Sequence, residues 1–157
     1  MKRKRMHHVG IVLPTREAVN HLMTMLGLEE DHHGYVEAYQ ADLVYTKYGE
    51  QESPIEFVIP REGSVLQKYN KYNDGRGGIH IAFEVDDVEE VRREFEAKGL
   101  HMLEPKAAEA TVVGSDDFIF NFIRPRYSEQ ILFEFVQTVG PINRTQEKVE
   151  SDVIPWC

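Results

Sequence analysis

The 157-residue chain is predicted to be α+β, with two paired βαβββ modules forming a curved sheet around a cleft. Three observations carry that expectation. His8-Val-Gly-Ile-Val-Leu, running on to Gly27-Leu28, can be laid without a gap over His80-Ile-Ala-Phe-Glu-Val, running on to Gly99-Leu100. Each copy passes from period-two apolar alternation to a helical apolar stripe and then back to strands. Each also closes on a glutamate inside an apolar strand, Pro54-Ile-Glu56-Phe-Val-Ile and Ile131-Leu-Phe-Glu134-Phe-Val. Self-similarity of this kind favours two like modules over one unrelated fold. They are placed at residues 1–72 and 79–138, with a C-terminal tail at 139–157.

The elements follow in order. His8 to Leu13 alternates as a strand, with Val9, Ile11 and Leu13 on one face and His8, Gly10 and Val12 on the other. Pro14-Thr15 opens a helix to about Leu26 with an apolar stripe of Val19, Leu22, Met23 and Leu26, and Gly27 supplies the left-handed residue that ends it. Tyr35 to Tyr39, Asp42 to Tyr48 and Pro54 to Ile59 read as strands. Gly63 to Tyr72 reads as a short helix, and Asn73-Asp-Gly-Arg-Gly-Gly78 as a connector.

The pattern then restarts with a strand at His80 to Val85, Asp86-Asp87 as helix cap, and a helix from Val88 to Lys98 that buries Val91 and Phe95. Strands at Thr111 to Val113, Phe118 to Ile123 and Gln130 to Val136 complete the second copy. Residues 141–157 lack periodicity until Val153-Ile-Pro-Trp156 and read as a loose tail or an arm packing on a partner subunit.

Composition narrows the function classes. A formal charge of −9 disfavours binding to a phosphate backbone, which depends on Lys and Arg neutralising phosphates. The basic run Lys2-Arg-Lys-Arg5 is expected to be a solvated tail beside the first strand, and with no apolar region behind it, neither a signal peptide nor an anchor. No apolar run is long enough to span a bilayer. The single cysteine, Cys157, excludes an internal disulfide and points to a reducing cytoplasm.

Strand alternation puts four polar side chains on the sheet face that the helices leave uncovered: His8 and His80 from the first strand of each module, Glu56 and Glu134 from the last. A carboxylate flanked by apolar strand residues is costly unless it is paired, bound to a metal or exposed. Two matched imidazoles and two matched carboxylates suit one divalent ion of the Mn, Fe, Co, Ni or Zn type, because a dedicated Ca or Mg cage more often uses oxygen alone. The alternative is that each residue is an ordinary strand histidine or an exposed glutamate.

His8-Val-Gly-Ile-Val, Gly77-Gly-Ile-His80-Ile-Ala-Phe-Glu-Val-Asp-Asp, Phe122-Ile-Arg-Pro125 and Leu132-Phe-Glu134-Phe-Val-Gln137 resemble the vicinal oxygen chelate superfamily. This group includes glyoxalase I, methylmalonyl-CoA epimerase, fosfomycin-resistance proteins and extradiol dioxygenases. Over roughly residues 6–138 the likeness is greatest to the epimerase branch. The resemblance implies a cleft around one divalent ion held by His8, Glu56, His80 and Glu134, and a homodimer. It implies a small-molecule substrate, with an acyl-CoA or a 2-oxo or 3-oxo compound as candidates. It also implies two acid/base groups, for which Glu134 and Glu37 are the candidates, with Asp42 behind Glu37.

The expected reaction is abstraction of a proton next to a metal-bound carbonyl, giving epimerisation or isomerisation. Arg76, Arg124 and Arg126 are candidate contacts for a CoA or phosphate group, and Tyr35, Tyr39, Tyr45 and Tyr48 candidate pocket residues, alternate ones being core. A glyoxalase I-type lyase on hemithioacetals, a dioxygenase, a thiol- or epoxide-opening resistance enzyme, and a non-catalytic binding protein whose cleft is filled by aromatic side chains are the alternatives.

Overall fold

The computed structural model describes residues 2–76 and 78–140. Eight strands, β1 (Arg3–Val12), β2 (Glu30–Val36), β3 (Ala41–Thr46), β4 (Ile55–Pro60), β5 (Gly78–Val85), β6 (Ala108–Val113), β7 (Phe118–Phe122) and β8 (Leu132–Thr138), close into one barrel. Around the barrel they run β1-β4-β3-β2-β6-β7-β8-β5, so each copy of the repeat supplies four consecutive strands. The halves meet at two seams, β1 antiparallel to β5 and β2 antiparallel to β6. The curved sheet expected from the sequence therefore closes on itself. At the second seam a Cβ on Gly34 would lie 2.3 Å from the carbonyl oxygen of Thr111, so the missing side chain lets the two edges join.

Helices α1 (Arg16–Leu26) and α3 (Val88–Ala97) lie outside, one per half. Thr15 caps α1 by accepting from the Ala18 amide, and Gly27, at φ 66°, ends it. Asp87 caps α3 by accepting from the amides of Glu89 and Glu90. Val19 and Met23 of α1 seal Leu13, Val44, Phe57 and Ile59, while Val88 and Val91 of α3 seal Val85, Met102, Ile123 and Phe135. The alternate residues Val12, Leu43, Tyr45, Val58, Ala82 and Val136 turn inward and meet Phe118, Phe120 and Phe122 in the barrel interior. A short helix, α2 (Val65–Tyr69), packs Leu66 against this interior cluster. Among the described residues no helix is long and apolar enough to cross a membrane.

Four local expectations change. Residues 3–5 form strand rather than solvated tail, because β1 continues alongside β5, with Lys4 ion-paired to Asp86 at 3.0 Å, Arg5 to Glu84 at 2.8 Å, and Arg3 over the Phe83 ring. The strand expected at 35–39 instead occupies Glu30–Val36, since Glu37 to Gln40 make the tight turn into β3. Strand β6 starts earlier, at Ala108, and β8 extends to Thr138, both lengthened by pairing with β7. The tail expectation falls, from residue 141 on, outside the described residues.

Candidate metal centre

Two rows of cross-strand neighbours build the site. Gly10 of β1 sits opposite Glu56 of β4 on one side and His80 of β5 on the other. Ala82 of β5 sits opposite His8 of β1 on one side and Glu134 of β8 on the other. Each row is thus candidate ligand, small residue, candidate ligand, and the internal repeat exchanges one row for the other. The small residues make the convergence possible: a Cβ on Gly10 would lie 1.9 Å from Cε1 of His80 and 2.2 Å from its Nε2. Period-two alternation sends all four functional side chains into the barrel, where His8 is fully buried and Glu134, Glu56 and His80 are 3, 4 and 6 % exposed.

Three donors form a nearly equilateral triangle. His8 Nε2 and His80 Nε2 are 3.1 Å apart, and each is 3.0 Å from Glu134 Oε2. Glu56 stands slightly farther off, with Oε2 3.4 Å from His8 Nε2 and Oε1 3.6 Å from His80 Nε2. Despite its two near neighbours, Glu134 Oε2 is buried without a hydrogen bond of acceptable geometry. Donors bound to one ion at about 2.1 Å in neighbouring octahedral positions are separated by about 3.0 Å, against about 3.4 Å in a tetrahedron. The triangle matches the octahedral spacing. His8, His80 and Glu134 each bring one donor atom within 4.8 Å of the others and, with an unsatisfied oxygen among them, fit a divalent cation, while Glu56 stands outside that group.

The electrostatics agree. Burial by itself would depress the His80 imidazole, yet Glu134 and Glu56 override it and raise its pKa to about 10. Burial would raise the carboxyl of Glu134, but His8 and His80 hold it far below the ordinary range, and the same pair lowers Glu56. Without a metal, the two buried negative charges therefore hold a proton on His80.

Two further residues support this set, and the sequence reading gave neither that role. Tyr45, opposite Glu56 in the β3–β4 register, donates its hydroxyl to Glu56 Oε2 at 2.5 Å. Burial and the Glu56 charge push that hydroxyl well above the usual phenol range, so it remains a donor. His7 Nδ1 lies 2.8 Å from His8 Nδ1, the ring nitrogen facing away from the triangle. Burial and the neighbouring His8 lower the pKa of His7 to about 4, and the contact between the two rings orients His8 from the side away from the triangle. Tyr45 carried a weak signal as one of the first-module tyrosines, whereas nothing in the sequence set His7 apart.

The remaining candidates lie elsewhere. Glu37 is on the β2–β3 turn with its side chain 73 % exposed, and its ion-pair partner is Arg61, 3.8 Å away. The structure does not bring it to the triangle. Asp42 is buried, but Arg61 binds it at 2.9 Å. Arg76 reaches the Asp74 carbonyl, Arg124 the Met102 carbonyl, and Arg126 lies over the Tyr127 ring. A cavity of about 210 Å³ is lined by Arg5, His7, His32, Tyr45, Tyr48 and Phe118 among others.

Comparison with known proteins gives a consistent family. The profile described as glyoxalase/bleomycin resistance protein/dioxygenase superfamily matches residues 7–120. Among solved structures, a variant of the methylmalonyl-CoA epimerase of Streptomyces coelicolor, in complex with 2-nitronate-propionyl-CoA, is 25 % identical with a TM-score of 0.74 over 88 % of this chain and 96 % of that one. The methylmalonyl-CoA epimerase of Mycobacterium tuberculosis is 21 % identical with a TM-score of 0.73 over 87 and 89 % of the two chains. A hypothetical protein of Bacillus halodurans is 24 % identical with a TM-score of 0.71 over 92 and 100 %. At 21 and 24 % identity the likeness is one of fold. No curated protein matches by sequence.

Proposed function

The chain belongs to the glyoxalase/bleomycin resistance protein/dioxygenase superfamily, and we propose that it is a divalent-metal-dependent epimerase or isomerase moving a proton α to a carbonyl, on a substrate of the acyl-CoA class. The observation that carries this reading is the triangle of His8 Nε2, His80 Nε2 and Glu134 Oε2, with an oxygen that no hydrogen bond satisfies. A divalent cation held by these residues and Glu56 would supply Lewis acidity, stabilising negative charge as it develops on the carbonyl oxygen.

The chain's own residues do the rest. Glu134 has two oxygens, so one can remain with the ligand set while the other accepts the α-proton. Tyr45 holds Glu56 in place, and His7 holds His8. The apolar wall of Phe118, Phe120 and Phe122 keeps water from the carboxylates and strengthens every charge interaction inside. The substrate class is drawn from the epimerases of like fold, one of them solved with an acyl-CoA ligand. A homodimer acting in the cytoplasm belongs to the same proposal and rests on family resemblance and cysteine usage.

Transfer of α-hydrogen is the decisive experiment. Purified protein loaded with Co²⁺ or Mn²⁺ is incubated in D₂O with a panel of methylmalonyl-CoA and other acyl-CoA esters, hemithioacetals and 2-oxo and 3-oxo acids. Deuterium is expected at the α-carbon of an acyl-CoA. Metal binding with no exchange on any member would end the epimerase and isomerase reading.

One observation favours a second reading, a non-catalytic binding protein on the same fold. Phe118, Phe120, Phe122, Leu43 and Tyr45 fill much of the barrel. That reading predicts no metal uptake and no exchange on any member of the panel.

A further inference from the structure

The two halves of the repeat supply two buried glutamates, Glu56 and Glu134, yet only one of them is needed to take the α-proton. We propose that Tyr45 and Phe122, at matched positions in the two halves, decide which: the Tyr45 hydroxyl pins Glu56 as a fixed support, and the bare ring of Phe122 leaves Glu134 free to accept the proton. Both are positioning residues, and the assignment rests on the epimerase or isomerase reading above.

Tyr45 and Phe122 match in register and in contacts. On β3, Tyr45 is the cross-strand partner of Glu56 on β4; on β7, Phe122 is the cross-strand partner of Glu134 on β8. Both pairs are antiparallel, so the opposed side chains share one face. The Tyr45 ring lies edge-on to His8 at 6.3 Å and 80°, and the Phe122 ring edge-on to His80 at 5.5 Å and 90°. Each aromatic thus meets the histidine and the glutamate of its own half, and the two side chains differ by one oxygen atom. That atom sets the glutamates apart. Glu56 Oε2 accepts the Tyr45 hydroxyl at 2.5 Å and stands 3.4 Å from His8 Nε2. Glu134 Oε2 has no hydrogen bond of acceptable geometry and stands 3.0 Å from both imidazole nitrogens. Tyr45 is itself held. A register shift between Glu30 and His32 on β2 brings His32 opposite Tyr45, and the two rings stack at 4.5 Å and 18°. Asp31 Oδ2, 2.7 Å from His32 Nδ1, fixes that ring in turn.

A carboxylate that already accepts a short hydrogen bond must give it up, or share it, before it can take a proton, and it is held in one orientation meanwhile. Glu56 is so held, whereas Phe122 offers Glu134 no donor. In the step itself the α C–H bond breaks, the proton passes to a Glu134 oxygen, and the electron pair stays on the substrate as its enolate. The O–H formed on Glu134 exchanges with solvent before the proton returns, which is how deuterium enters.

The test compares wild type, Phe122→Tyr, Phe122→Leu, Glu134→Gln and the double variant Glu134→Gln/Tyr45→Phe. Proton NMR of the metal-free proteins reads the hydroxyl bonds, and deuterium entry into methylmalonyl-CoA, with each variant saturated in Co²⁺, reads the proton transfer. Phe122→Tyr is expected to show a new downfield, slowly exchanging hydroxyl proton. Its deuterium entry should fall at least about 10-fold below that of Phe122→Leu, which loses the ring and gains no oxygen. Releasing Glu56 should restore part of the function, so that Glu134→Gln/Tyr45→Phe exchanges at least about 10-fold faster than Glu134→Gln. A new hydroxyl bond in Phe122→Tyr with exchange no slower than in Phe122→Leu would overturn the proposal, as would a folded Phe122→Tyr that forms no such bond. Should Phe122→Tyr fail to fold, the two Glu134→Gln proteins decide, and equal rates there overturn it. In all these cases wild type still exchanges and the epimerase or isomerase reading stands. Wild type that binds Co²⁺ and exchanges no member of the wider substrate panel removes both.

Discussion

Gly10→Ala is the sharpest perturbation of the centre, because it adds one methyl group and removes no ligand. The new Cβ would lie 1.9, 2.2 and 2.5 Å from Cε1, Nε2 and Nδ1 of His80. Ordinary contact begins near 3.4 Å, so the ring must retreat by roughly 1.5 Å, as for any overpacked core. Such a shift takes Nε2 out of a triangle whose sides are 3.0–3.1 Å. Metal affinity is expected to fall at least about 100-fold, near 2.7 kcal/mol, as for loss of a ligand or its principal support. Overpacking adds a cost of about 1–3 kcal/mol to metal-free stability.

Chelator competition reads the affinity, and denaturant unfolding reads the stability. The double variant Gly10→Ala/His80→Ala should unfold like His80→Ala alone, since deleting the ring removes what the methyl strikes. Wild-type metal affinity in Gly10→Ala would refute the proposed placement of His80 over β1.

Other outcomes follow from the same geometry. Tyr45→Phe leaves Glu56 Oε2 without its donor, and metal affinity by calorimetry is expected to drop about 10- to 100-fold with the fold retained. Ala82→Leu places bulk between His8 and Glu134 and should reproduce the Gly10→Ala metal defect from the other row; unchanged affinity would show that the two rows are not equivalent. Metal loading at pH 7 should release protons, because His80, raised to about 10, gives up its proton to become a ligand. Affinity therefore rises with pH, and titration in two buffers of different ionisation enthalpy should give different apparent heats. Gly34→Ala drives a Cβ to 2.3 Å from the Thr111 carbonyl and should accelerate amide hydrogen exchange in β2 and β6.

The convergence of His8, Glu56, His80 and Glu134 was legible because the repeat places like residues at like points, and strand alternation then assigns them a face. The small residue two positions after each histidine, Gly10 and Ala82, is a further signal in the sequence, but its meaning depends on cross-strand register. Register is also what joins Tyr45 to Glu56, and no periodicity along one strand reveals it. The start of β2 was hidden because Glu30-Asp-His-His33 has no apolar alternation; its strand state comes from pairing with β3 and β6 on either side. The basic start of β1 is likewise ordered by acidic partners on and beside β5, Glu84 and Asp86, far away in sequence. Glu37 lies on the turn between β2 and β3, where its side chain meets Arg61 and solvent, and no pattern along the chain shows which way a turn side chain faces.

The central claim is that His8, His80 and Glu134, with Glu56, make one metal centre. Metal analysis of the purified chain after loading with Co²⁺ and removal of excess tests it most directly, comparing wild type with His80→Ala and Glu134→Ala. About one ion per wild-type chain is expected, with stoichiometric metal lost from both variants. A wild-type chain that takes up no metal, or a variant that keeps wild-type affinity, would contradict it.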